Sequence, residues 1–450
     1  MFLNSQEHMP GNARIHRNNQ KRRTEKPLDK LTGKRLLILG GAGQTLKVVN
    51  TAHEMGIYVI VTDRSVNFKV RELADECLPY SVKDVEGLSK WLDSNKVDGI
   101  LNFNIDAAQT TQLALCTKYG FPCYGAKEQY DIFTNKNNFK QFCQRNGLDI
   151  IPEYTEEDVI NDRAEYPILI KPADSSGSRG NTVCYSKEEA LEAIRFALQE
   201  SYSSSVIIEK FMAGYHDFAV TYYTVDGVPH LTRVGDRYVG RIEDGLNRQC
   251  ICGVYPSKYT QFYLDRYDEK MKTMIRNAGV INGPTFFQGF IDGDKIRWYD
   301  PAIRFSGGEY EQYYKTLIGL DLMRATIVYA LTGKNDIAAE KIDGTCWLNG
   351  YHAVQLLIDV GPGTITTLTG IEEIRALPEV AVVTLKHKAG DVIARTGDIN
   401  QRIAEIVITM QGDLQSVHDV VRRVQSLLRV EDENGNDMLV SQFDAARLLD

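Results

Sequence analysis

The sequence predicts a mixed α/β and α+β protein: a doubly wound parallel N-terminal domain, an α+β middle and a small α+β C-terminal domain. Three observations predict this. From Lys34 short apolar runs alternate with helix-period segments, the signature of strand–helix–strand units. After about Gly125 the pattern changes to hairpins, with Asp226-Gly227 and Asp292-Gly293-Asp294 as turn signals between alternating runs. The 450 residues are 43% hydrophobic and 25% charged, enough to bury several cores and ordinary for a globular chain.

In order, Leu36–Leu39 and Ile57–Val61 read as buried strands, joined by a helix through Leu46, Val49, Ala52 and Met55. Val85, Leu88 and Leu92 mark another helix, Gly99–Phe103 another strand, and a helix follows from about Ala107 to Tyr119. Lys136–Asn146 is a helix stopped by Gly147. Pro167–Lys171 and Val183–Tyr185 are strands around a Ser/Gly-rich loop, and Ser205–Glu209 is a strand after an amphipathic helix. Beyond Lys334 come strands Ala353–Asp359, Val380–Leu385 and Ile403–Thr409, then a helix with Val417, Val421, Val424 and Leu428 on one face. The expected divisions are an extension over 1–30, domains over 31–125 and 126–334, the latter with a subdomain at about 160–210, and a C-terminal unit over 335–450.

Charge and cysteines narrow the function. The formal charge is −8, with seven Lys or Arg against three acids in the first thirty residues. An acidic body argues against a nucleic-acid partner, and no apolar run is long enough to span a membrane. The eight scattered cysteines show no CxxC or zinc spacing, so free thiols in a reducing cytoplasm are expected.

Two glycine turns compete as nucleotide sites. Gly41-Ala-Gly43-Gln-Thr-Leu46, with Asp63 downstream, partly matches a dinucleotide fingerprint, but Leu46 stands at the third glycine. This leaves an NAD-dependent oxidoreductase as the weakest alternative. The sharper constellation is Ile170-Lys171-Pro172 followed by Ala-Asp-Ser-Ser176-Gly177-Ser178-Arg-Gly180. Exposed amides in such a loop form an anion nest, and Lys171 adds a point charge for phosphate. Lys136 opens a nearby helix as a second phosphate lysine. Glu209-Lys210-Phe211-Met212 forms a strand-to-linker segment able to meet an adenine edge, with Glu209 or Asp217 for ribose hydroxyls. Asp300-Pro-Ala-Ile-Arg304-Phe-Ser-Gly-Gly308 places an acid at a strand end and an arginine four residues on. Arg233, Arg237, Arg241 and Arg248 offer guanidinium groups for an anionic substrate, and Tyr310, Tyr313 and Tyr314 read as packing residues. His216 reads as a surface residue at a strand start.

With these five segments in this order, the chain resembles the ATP-grasp ligases from roughly Lys34 to Gly333. The resemblance implies a pre-ATP-grasp domain, a two-subdomain grasp core and ATP held between the subdomains. It implies ADP-forming activation of a carboxylate as an acylphosphate, followed by attack of an amine-type nucleophile. Lys136, Lys171, Ser176, Gly177, Ser178, Gly180, Glu209, Lys210, Phe211, Met212 and Asp217 would bind ATP. Lys171 and Arg304 would act in catalysis, and Asp300 with Gln288 would ligate Mg²⁺. Gln288 and Ala302 stand where the family carries an acid and an asparagine, which thins the metal site. A three-residue loop at Asp292–Asp294 would set Gln288 opposite Trp298 and on one face with Asp300; a two-residue turn would separate them. The partners implied are a small carboxylate and an amine. Dimers are common among such enzymes, and the oligomeric state stays open. A bicarbonate-activating enzyme like carbamoyl-phosphate synthase and a catalytically silent ATP-binding module remain as alternatives.

Overall fold

The computed structural model describes residues 31–41, 44–64, 70–172, 181–201, 204–240, 249–308, 310–397 and 399–450. The first sheet is parallel, as the alternation requires. Strand Arg35–Leu39 lies between Tyr58–Thr62 and Gly99–Leu101, and Glu76–Leu78 forms the outer edge. Leu37, Leu39, Ile60 and Ile100 face one helix layer, while Leu36, Ile38, Val59 and Val61 face the other. That two-sided burial is why these strands read as unbroken apolar runs.

The second of these layers includes a helix from far along the chain. Leu322–Thr332 packs against Gly99–Leu101, and a Cβ added at Gly99 would lie 2.3 Å from the carbonyl oxygen of Ala330. The glycine is required by this close approach of two backbones, which fixes the N-terminal sheet on the rest of the molecule.

A nine-stranded antiparallel sheet, counted among the described residues, forms the centre. From its edge it runs Lys295–Ala302, Gly283–Asp292, His216–Val225, Val228–Val239, Cys250–Tyr255, His352–Val360, Arg402–Met410 and Val380–Leu385; Leu439–Val440 also pairs with His352–Val360. Strands from both sides of residue 334 therefore share one ladder, joined where Gly253 pairs with Gln355. One face carries Phe218, Val220, Tyr222, Phe287 and the fully buried Trp298 against helices Lys136–Arg145 and Asp268–Asn277. Farther along, Leu356, Ile358, Ile406 and Ile408 pack on Val417, Val421 and Val424 of helix Leu414–Leu427, the stripe expected from sequence.

The smaller antiparallel sheet has the order Glu153–Tyr154, Val206–Lys210, Ile168–Pro172 and Thr182–Cys184. Helix Lys187–Glu200 covers it through Ala190, Ile194 and Ala197, with Ser186 accepting from the Glu189 amide as its N-cap. The Ser/Gly-rich segment 173–180, and with it Ser176, Gly177, Ser178 and Gly180, lies outside the described residues, as do Arg241, Arg248 and the 1–30 extension.

The hairpin ending in Asp300 differs from the expected form. Asp292 pairs with Lys295, so Gly293-Asp294 is a two-residue turn. A β-bulge between Gln288 and Gly289 then inserts one residue on the partner strand, and Gln288 comes opposite Asp300, not Trp298. The bulge restores the parity that the shorter turn would have lost. Among the described residues no helix is long and apolar enough to cross a membrane.

Gly99→Ala should cost about 1–3 kcal/mol, because the methyl must push apart two backbones that are already in contact. Urea unfolding checks this: the midpoint falls with the m-value unchanged, and an unchanged midpoint would contradict the contact.

Candidate functional site

A cleft of about 430 Å³ separates the small sheet from one face of the central sheet. Its walls hold most of the residues expected to bind nucleotide: Lys136, Lys171, Glu209, Lys210, Phe211, Met212 and Asp217, with Gln288 on the floor. Strand alternation puts Arg237, Asp217 and Phe290 in one cross-strand row, and Ala219, Gln288 and Asp300 in the next. Apolar walls come from Ile151, Leu169, Val183, Phe211 and Met212, a surface suited to a flat aromatic base.

The charge pattern turns on Glu209, of which the side chain is only 4% exposed. Its Oε1 accepts from Lys171 and its Oε2 from Lys140 at 2.7 Å. Lys140, equally buried, also donates to Glu153. Burial would raise the Glu209 carboxyl, but the two ammonium groups outweigh it and hold the group below its ordinary value. Burial lowers the Lys171 ammonium, and Glu209 opposes that shift. With both oxygens on lysines, Glu209 is a strut that aims Lys171 into the cleft. Lys140 escapes a motif reading. Its one sequence signal is a lysine flanked by Phe139 and Cys143 on a helix face that must be buried, where an ammonium needs a carboxylate.

At the other wall, Lys136 Nζ lies 3.2 Å from Asp300 Oδ1, and the field of Asp300 raises the lysine's pKa. On the floor, Arg237 Nη1 donates to Asp217 Oδ2 at 2.9 Å and to the Tyr299 hydroxyl at 3.2 Å. Tyr299 in turn donates to Gln288 Oε1 at 2.9 Å. The bulge makes this last contact possible, because it brings Tyr299 alongside Gln288. Arg237 is one of the four arginines named from sequence for an anionic substrate, and the structure sets it on the cleft floor; Tyr299 gives no motif, and only the pairing register reveals it.

Arg304 is not among the residues lining the cleft. It is buried beside it, with Nε and Nη2 both 2.7 Å from Asp106 Oδ1 and Nη1 donating to the Phe305 carbonyl. Asp106 is 71% exposed and also contributes to the field on Lys136. The arginine is therefore one solvent-reached carboxylate away from the Lys136–Asp300 pair. His216, expected at the surface, is mostly buried and bonded to Asp236 at 2.7 Å. At the competing glycine turn, Asp63 Oδ2 accepts from the Gly41 amide at 2.9 Å, which anchors the turn internally; Gly43 lies outside the described residues.

The donor set among the described residues fits a hard cation. Asp300 supplies a carboxylate and Gln288, directly across the ladder, an amide oxygen. No group of three His, Cys, Asp or Glu able to hold a metal exists among the described residues. Mg²⁺ is commonly held by one or two protein oxygens plus phosphates and water, and this pair suits that role.

Known proteins resemble the chain in sequence and in fold. Residues 135–223 match the family described as carbamoyl-phosphate synthase L chain, ATP binding domain, and residues 356–433 match the L-amino acid ligase C-terminal domain 2. The chain is 30% identical over 118 residues to the carbamoyl phosphate synthase large chain of Archaeoglobus fulgidus, covering 25% of this chain and 11% of that protein. It is 22% identical to the formate-dependent phosphoribosylglycinamide formyltransferase of Histophilus somni, covering 81% of this chain and 95% of the relative. The crystal structure of L-amino acid ligase from Bacillus licheniformis superposes with a TM-score of 0.71 at 17% identity, over 90% of this chain and all of that one.

Glu209→Gln should destabilise the protein by about 3–5 kcal/mol at neutral pH, since it strips two buried ammonium groups of their shared anion. The folded pKa of Glu209 lies below 4.5, so its stabilisation is present above that pH and is lost as pH falls through the folded value. Urea titrations of both proteins at pH 7 and at a pH well below the ordinary carboxylate value should show the gap narrowing; a gap that stays the same there would contradict the ion-pair account.

Proposed function

We propose that this chain, which has the ATP-grasp fold, is an ADP-forming ligase that joins a small carboxylate to an amine. The observation that carries the proposal is the cleft itself. Lys136 and Lys171 line it on opposite walls with Gln288 on the floor, apolar walls stand above, and Asp300 adjoins the lining, 3.2 Å from Lys136 and paired across the ladder with Gln288. The match of residues 135–223 to an ATP-binding domain supports the same reading.

The chemistry follows from where the charges stand. Lys136 and Lys171 bind phosphate oxygens, with Lys171 aimed by Glu209 and Lys140. Phe211 and Met212 enclose the base, and Asp217 stands within the same cleft for a ribose hydroxyl. When bound at Asp300 and Gln288, Mg²⁺ supplies Lewis-acid neutralisation of phosphate charge. A carboxylate oxygen attacks the γ-phosphorus, the bond to the β-phosphate bridging oxygen breaks, and ADP leaves. The amine then attacks the acyl carbon, phosphate leaves, and the amine's proton passes to a base or solvent. Arg304 reaches the developing oxyanion by exchanging its Asp106 contact, which stands open to water. Arg237 adds a fixed cation on the floor, in the row beside Gln288. The carboxylate and the amine remain to be identified; the match of residues 356–433 favours an amino acid among them.

Lys171→Met should abolish the thermal stabilisation given by ATP with Mg²⁺; stabilisation equal to wild type would remove the phosphate role. Asp300→Asn should lower turnover at least 100-fold and weaken its Mg²⁺ dependence. ADP release by a coupled assay with a panel of acids and amines tests the activity as a whole. No ADP release under any mixture, with ATP still bound, favours the silent module.

A further inference from the structure

The side chain of Gln288 ends in two groups of nearly equal shape and opposite sense, an oxygen that accepts and a nitrogen that donates. A hard cation beside Asp300 gains only from the oxygen. A glutamine at this place therefore needs something that decides which end it presents, a need that a carboxylate with two equal oxygens does not have. Its ladder neighbours do not decide it in the cation's favour. Ala219 has no polar side chain, and Asp300, which accepts only, attracts the nitrogen.

The deciding group is Tyr299, which lines the same cleft as Gln288, Asp217, Arg237 and Phe290. A guanidinium has donors only. Arg237 Nη1 reaches the Tyr299 hydroxyl at 3.2 Å and Asp217 Oδ2 at 2.9 Å, so the phenol oxygen accepts from Arg237 and has one proton to give. Two acceptors compete for that proton: Gln288 Oε1 at 2.9 Å, and Asp217 at 3.3 and 3.5 Å. The shorter contact is to Gln288, and Asp217 already has the guanidinium. Burial, reinforced by the field of Asp217, holds the phenol well above its ordinary pKa, so the proton stays on it. The ring itself is held by stacking on Phe290, with centroids 4.7 Å apart and planes 17° from parallel. The donors thus run one way, from Arg237 to Tyr299 to Gln288, and each polarises the next. An amide oxygen has two lone pairs, so the one that faces Tyr299 leaves the other for a cation.

We propose that Tyr299 is a positioning residue: by donating to Gln288 Oε1 it presents the oxygen of that amide, and not the nitrogen, to the cation that a nucleotide brings to Asp300. This rests on the nucleotide and metal reading of the cleft, and not on the identity of either ligase substrate. Without the hydroxyl, Asp300 draws the amide nitrogen towards itself, and a donor group then faces the cation.

The test reads binding and not turnover. A non-hydrolysable ATP analogue is titrated calorimetrically into the full chain, once with Mn²⁺ in excess and once with no divalent metal, and the ratio of the two affinities is what the cation contributes. Wild type, Tyr299→Phe, Gln288→Glu and the double variant are compared. Tyr299→Phe should lower the ratio about 3- to 10-fold where residue 288 is glutamine, the worth of one hydrogen bond. Where Gln288→Glu is present it should change the ratio less than about twofold, because either oxygen of a carboxylate serves the metal. A hydroxyl that only supports the floor would weaken binding with and without metal alike, or lower the ratio equally in both backgrounds; either result overturns the positioning role and leaves the nucleotide reading standing. Wild type that binds no analogue, or gains nothing from Mn²⁺, removes the reading of the cleft and this role with it. Should Tyr299→Phe fail to fold, a crystal structure of the wild-type protein with the analogue and Mn²⁺ decides. The metal on the Gln288 atom that Tyr299 touches supports the role; the metal on the other atom, or on neither, overturns it.

Discussion

One buried carboxylate organises the cleft. Glu209 sits on the small sheet with an ammonium group on each oxygen, one from its neighbouring strand and one from the helix that begins at Lys136. That arrangement ties the small sheet to the helix on the central sheet, so Lys171, expected to face phosphate, is positioned through Glu209 by Lys140. In a region stripped of water each charge depends on the others. The consequence is that Lys171 has little freedom, which its proposed role of binding a polyanion in a defined pose requires.

The floor of the cleft is built on a different economy of charge. A carboxylate and an amide oxygen face each other across one ladder position, and Arg237 stands in the adjoining row. In the proposed reading the carboxylate and the amide oxygen hold a cation carried by the nucleotide, and Arg237 adds a positive charge from the protein itself.

Much of this was legible from sequence because it depends on local rules. The parallel sheet, the two hairpins and the C-terminal amphipathic helix all follow from period and turn residues. Lys136, Lys171 and the Glu209–Met212 linker were legible because each sits at the end of an element, where a side chain can reach a cleft. What escaped depends on long-range register. The bulge at Gln288 cannot be read from the turn residues of its hairpin, and it alone decides that Gln288 opposes Asp300 and that Tyr299 joins them. Lys140 and Asp106 escaped because their partners lie far away in the chain or on another element. Strands on both sides of residue 334 join one ladder, a long-range pairing with no local signature.

The account stands on a triphosphate lodged between the small sheet and the floor of the central sheet. A crystal structure of the protein with a non-hydrolysable ATP analogue and Mg²⁺ tests this most directly. It should show phosphate oxygens on Lys136 and Lys171, the base against Phe211 and Met212, and one metal at Asp300 and Gln288. An empty cleft, with the nucleotide instead at the turn that Asp63 anchors, would contradict it.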